Sequence, residues 1–231
     1  MIGQRIDEVR EQIRLHCEKA GRNPSKVTLI AVSKTKPVSM IEEAADAGQT
    51  VFGENRVQEL CEKYEALKDR KLHWHLIGHL QSNKVKKAVA VSEMIHSVDS
   101  FLLAAEIDKQ AGKLGKIQDI LLEINVAEEE SKFGLTLAEA EAAVREIAKL
   151  PSIRLRGFMT VAPYTENAEE NRGIFRSLRQ LMVDINAKSI DNIFMDVLSM
   201  GMSGDYGVAV EEGATHVRVG TFIFGRRNYN I

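Results

Sequence analysis

Only two cysteines, Cys17 and Cys61, occur in 231 residues. They lie far apart in helical patterns and without CxxC spacing, which excludes a disulfide framework and a zinc knuckle. Aromatic residues are scarce, and no apolar run approaches the ~18 residues that would suggest a bilayer span, so no membrane-embedded part is expected. Charge of one sign is missing too: a formal net charge of −2 provides no general field for nucleic acid. The short basic cluster at Lys84, Lys86 and Lys87 reads as a solvated helix face. Four prolines, Pro24, Pro37, Pro151 and Pro163, all fall at the ends of expected elements and punctuate the chain without dividing it. No low-complexity segment or internal repeat stands out. The amino terminus is amphipathic and charged, without the apolar stretch and cleavage site of a secretory signal; with so few cysteines, a cytoplasmic protein is the expectation.

What is present is an alternation. After a leading helix pattern, short β-branched runs take turns with helical ones. The strand candidates are 27–35, 51–54, 73–78, 93–98, 117–125, 153–160, 196–201 and 216–221. VTLIAV and ILLEI are nearly continuous apolar runs, as expected of parallel strands buried on both faces. Eight βα units favour a closed (β/α)8 TIM barrel over an open doubly wound sheet, which uses fewer units and for which a GxGxxG after the first strand is missing. The expectation is one α/β domain over residues 1–231, with an extra N-terminal helix serving as a lid over the lower end of the barrel.

In such a barrel, function collects where strands end. Lys34 follows VTLIAVS, where it must reach the barrel mouth or stand partly desolvated. A lysine with more neutral amine attacks aldehydes readily, so Schiff-base chemistry suits the position; the ordinary alternative is a solvated strand-end lysine. Lys36 shares its parity but would lie about 6.6 Å further out, at about 3.3 Å per residue, and is expected to face solvent. SMGMSGDYG supplies Gly201, Ser203 and Gly204, and RVGT supplies Gly220 and Thr221. Small residues and hydroxyls on two adjacent loops suit an anion, although each loop alone is an ordinary turn. Arg218 shares parity with Gly220, so both face the lumen or neither does. A lumenal arginine needs an acceptor, either Glu54 or a ligand ring nitrogen. His73 and His75 lie on one strand face, yet without HExxH or an acidic loop the histidines read as core or capping residues rather than zinc ligands.

The motifs AVSKTKP, FGENRVQE, WHLIGHLQSNK, IHSVD, GFMT, LSMGMSGDY and VRVGTFIFGRR resemble the YggS/PROSC family of pyridoxal phosphate homeostasis proteins, itself similar to the barrel domain of alanine racemase. The resemblance implies pyridoxal 5′-phosphate as cofactor, held as a Schiff base on Lys34. By it, Asn55 lines the cofactor, Ser203, Gly220 and Thr221 contact the phosphate with Met200 in the same loop, and Arg218 faces the pyridine nitrogen. An arginine donor keeps that nitrogen unprotonated, a poor electron sink. The implied role is binding, buffering or delivery of the cofactor to apo-enzymes, without efficient turnover. The alternative is an amino-acid racemase, which would need a second acid or base near the Schiff base. A site complete within one chain gives the expectation of a monomer.

Overall fold

The computed structural model describes residues 1–129 and 132–225. Eight parallel strands close on themselves in sequence order: β1 (Thr28–Val32), β2 (Val51–Glu54), β3 (His73–Leu76), β4 (Met94–Val98), β5 (Gln118–Glu123), β6 (Ile153–Met159), β7 (Val197–Met202) and β8 (His216–Val219). The closing seam pairs Ile30 of β1 with Arg218 of β8, so the chain's first and last strands become neighbours. The barrel expectation holds, and strand positions match to within a few residues.

The helices are α1 (Ile2–Lys19), α2 (Val38–Asp46), α3 (Val57–Ala66), α4 (Val85–Val91), α5 (Phe101–Lys113), α6 (Leu137–Ile147), α7 (Arg172–Ala187), α8 (Tyr206–Glu211) and α9 (Thr221–Phe224). Local chemistry starts and stops them. Thr136 and Glu139 form a reciprocal capping box at α6, which satisfies backbone donors that the first turn leaves open. No helix among the described residues is long and apolar enough to cross a membrane.

Strand alternation sorts side chains into two sets. Leu29, Ala31, Phe52, Trp74, Leu76, Val217 and Val219 pack outward into the core shared with the helices. Met94, Leu121, Met159 and Val197 form a smaller cluster inside the barrel. At β6, Gly157 has φ 151°, and an added Cβ would lie 1.9 Å from the Val197 carbonyl. No other residue type fits so close an approach of strands.

The N-terminal helix is present but is not a lid over the lower end. Its buried stripe, Ile2, Ile6, Val9, Ile13 and Cys17, packs against α8, α2 and α9 in the outer wall. The reason is length: α8 has only six residues and α9, which follows β8, only four, too short to cover the seam between β8 and β1. The strands close the lower end themselves. Arg154 donates two hydrogen bonds to Asp119 at 2.7 and 2.8 Å, and Arg156 bridges Asp119 and Asp196 at 2.9 and 2.8 Å.

Candidate functional site

Lys34 lies half-buried in the turn directly after β1. The Ser33 N–H still donates to the Gly53 carbonyl at 3.1 Å, so Lys34 is the first residue beyond the β1–β2 ladder. Thr35 then turns the backbone into the left-handed region at φ 62°, unusual for a β-branched residue. The simple alternation expected of Lys34 and Lys36 therefore ends at Val32. Lys36 is not a solvated bystander either: it is half-buried and its Nζ donates to the Gly225 carbonyl at 3.1 Å.

The neighbouring strand ends bring the other expected residues to the same rim. Asn55, next after β2, is half-buried, and its Oδ1 is buried without a hydrogen-bond partner. Across the seam, the Gly220 N–H donates to Ser203 Oγ at 3.3 Å, joining the loops after β7 and β8. Thr221 begins α9 with Gly220 as its cap, and Ser203 and Thr221 line one cavity of about 430 Å³. Gly201, at φ 89°, packs so closely on Tyr206 and Ala209 that a Cβ would come within 2.5 Å of Ala209. Met200 differs from the others: its side chain is fully buried in the helix-facing core, so only its backbone can face the site. The closing Arg226 and Arg227 of the last motif lie outside the described residues.

Arg218 is lumenal, as its parity requires, and only 4% exposed. Glu54 is not its acceptor. Nη1 donates to Ser199 Oγ at 2.7 Å and Nη2 to the Thr160 carbonyl at 2.8 Å. Among the described residues no carboxylate lies within salt-bridge distance. Burial pushes its pKa down to about 10, so it stays cationic at neutral pH. Glu54, the proposed partner, points outward to the helices, where it accepts from Ser33 Oγ and Lys63 Nζ, each at 2.6 Å.

Ser199 extends the contact into a chain. Its Oγ, which accepts from Arg218, also lies 2.9 Å from His96 Nδ1, and His96 Nε2 lies 2.9 Å from His75 Nδ1. His216 lies beside them, with ring centroids 6.0 and 6.1 Å away. Burial and the adjacent imidazoles hold His75 down at about 3 and His96 well below the usual range, and burial holds His216 at about 4. All three are neutral at pH 7. The reading of core histidines stands for His75 and His96, while His73 is exposed and paired with Glu93.

One group at the rim was not singled out from the sequence. Glu123 ends β5, two residues beyond lumenal Leu121; burial and the Asp99 carboxylate push its pKa up to about 7. Asp99, at the end of β4, pairs with His79 at 3.2 Å, and His79 stacks on Phe133 with centroids 3.9 Å apart. The parity of Glu123 with Leu121 is the signal the sequence carries, and the expected strand, 117–125, runs two residues past its observed end.

Comparison with known proteins gives four findings. The family described as alanine racemase, N-terminal domain, matches residues 5–228. A pyridoxal phosphate homeostasis protein of Aquifex aeolicus is 46% identical over 226 residues, 98% of each chain. The structure of PipY from Synechococcus elongatus PCC7942 with PLP bound aligns with a TM-score of 0.86 at 39% identity, covering 97% of this chain and 100% of that one. An alanine racemase of Clostridium difficile, at 14% identity and TM-score 0.69 over 95% of this chain and 58% of its own, shares the fold alone.

Proposed function

The chain belongs to the alanine racemase N-terminal-domain family, and from that premise we propose that it holds pyridoxal 5′-phosphate at the mouth of its barrel and serves cofactor homeostasis. On this reading residues 1–231 are one cofactor-binding unit, monomeric and cytoplasmic, that buffers the cofactor or passes it to apo-enzymes.

The residues fit the group. The observation that carries the reading is Arg218, a buried cation with no carboxylate partner among the described residues and two protein acceptors, leaving guanidinium donors for a ring nitrogen. The partnerless Asn55 Oδ1 suits a donor on the ligand, since a buried acceptor without one costs roughly 1–3 kcal/mol. Ser203, Gly220 and Thr221 offer hydroxyl and N–H donors to a phosphate, and Lys34 offers the amine. When bound, the cofactor supplies an electrophilic aldehyde. This chain would capture it with Lys34, hold its charge at the β7 and β8 loops, and orient its ring through Arg218. A guanidinium leaves the ring nitrogen unprotonated, which favours holding over turnover.

A second reading, an amino-acid racemase, is favoured by Glu123, whose raised pKa of about 7 suits proton transfer at neutral pH. The two separate in D₂O. Loaded protein incubated with L-alanine is expected to deuterate the α-position slowly, yet to restore activity to an apo-enzyme that needs the cofactor. Since a median enzyme turns over about 10 times per second, rapid exchange that vanishes in Lys34→Ala and Glu123→Gln would replace homeostasis with racemisation.

A further inference from the structure

We propose that Lys63 is a positioning residue for Lys34: its buried ammonium, with Glu54 and Glu59, clamps the turn on both sides of the cofactor lysine. The inference rests on the cofactor-binding reading above and deepens it.

The cluster occupies the helix side of the turn. Lys63, on α3, is 4% exposed and Glu54 fully buried. Lys63 Nζ donates to Glu54 Oε1 at 2.6 Å, to Glu59 Oε1 at 2.6 Å and to the Ser33 carbonyl at 2.7 Å. Glu59 Oε1 in turn accepts from the Thr35 N–H at 2.5 Å, and Ser33 Oγ donates to Glu54 Oε1 at 2.6 Å. The Thr35 N–H just after Lys34 is thus satisfied by one charged cluster, and the Ser33 carbonyl just before it, which also closes the turn by accepting from the Lys36 N–H at 3.0 Å, is gripped by the same cluster. Such backbone groups must find partners somewhere when withdrawn from water.

The conformation held there is one the chain would not choose by itself. Thr35 sits at φ 62°, and β-branched residues avoid the left-handed region. Without the Glu59 acceptor only the bond from the Lys36 N–H to the Ser33 carbonyl is left to hold that backbone angle, and the direction in which Lys34 leaves the backbone changes as the turn loosens. Removing the ammonium also strands Glu54, whose Oε2 already lacks a partner, so the carboxylates themselves would drive the rearrangement. On the proposed reading the ring nitrogen meets Arg218 on β8 and the phosphate meets the loops after β7 and β8, none of which bonds to this cluster. The clamp therefore affects capture by the lysine and leaves non-covalent binding of the ligand's other groups in place.

The test compares Lys63→Met with the full-length parent protein in three measurements. These are the rate of the borohydride-fixed adduct on Lys34 with pyridoxal 5′-phosphate, the affinity for 4′-deoxypyridoxine 5′-phosphate, which lacks the aldehyde, and amide hydrogen exchange over residues 33–36. The expected result is adduct formation at least tenfold slower and faster exchange confined to that turn, with analogue affinity changed less than threefold. Adduct formation within twofold of the parent overturns the proposal, as does an equal loss of adduct and analogue binding. If Lys63→Met does not fold, Glu59→Leu removes the Thr35 acceptor at a half-exposed position and is read by the same criteria. A parent protein that binds the analogue and yields no adduct defeats the Lys34 reading instead. In that case the exchange data still decide the clamp, because unchanged protection of residues 33–36 overturns it.

Discussion

Replacing Ser199 with alanine tests whether the lumenal hydrogen-bond chain holds Arg218. Ser199 is fully buried and has two partners, Arg218 Nη1 at 2.7 Å and His96 Nδ1 at 2.9 Å. Deleting the hydroxyl removes a bond to a charged donor, about 1.5–3 kcal/mol, and a neutral one, about 1 kcal/mol. The sum is a loss of about 2.5–4 kcal/mol, well above the ~0.5 kcal/mol typical of a surface change such as Ser39→Ala. Urea unfolding at pH 7.5 measures it, and the one tryptophan, Trp74, is 2% exposed on β3 and reports directly by fluorescence. At a urea slope of about 3 kcal/mol per molar, the midpoint should fall by about 1 M. A midpoint within about 0.2 M of the parent would refute the reasoning.

Two further outcomes follow from the same geometry. His75 and His216 are held near 3 and 4 and His96 well below its usual value, mainly by burial, whereas the unfolded chain takes up these protons near 6.5. Between those values the unfolded state binds more protons, so the stability from keeping them neutral is fully present above about pH 6.5 and falls on acidification by about 1.4 kcal/mol per pH unit per histidine; urea midpoints flat from pH 7 to pH 5 would contradict it. Ser203→Ala and Thr221→Val should each weaken pyridoxal 5′-phosphate by about 1.5–3 kcal/mol and leave pyridoxal nearly unchanged in equilibrium titrations; equal weakening of both ligands would move the phosphate elsewhere.

The barrel was legible because each strand is short, apolar and bounded, and parity along HVRVG put Arg218 on one face with Gly220 and the opposite face to Val217 and Val219, although which face is lumenal is settled only by the structure. Side-chain partners were harder, since they depend on register between strands distant in sequence. Ser199 meets His96 and Arg218 only after β4, β7 and β8 take their places around the barrel, and no local pattern announces this. Glu54 shows the converse difficulty. It stands at a strand end, where functional groups gather, yet it lies one residue off the lumenal parity of Gly53 and Asn55 and turns to Lys63 instead. The four-residue spacing of Glu59 and Lys63 on α3 was a readable sign of a helical ion pair; its reach to the Lys34 turn was not. Thr35 was opaque for a related reason, because a threonine gives no local hint of a positive φ that tertiary contacts impose.

The most direct test of the central claim is to mix the purified protein with pyridoxal 5′-phosphate, reduce with borohydride, digest, and locate the modified lysine by mass spectrometry. One dominant adduct on Lys34 is expected, absent from Lys34→Ala and retained in Lys36→Ala. A dominant adduct on Lys36, or an unreduced protein whose spectrum is untouched by Lys34→Ala, would contradict it.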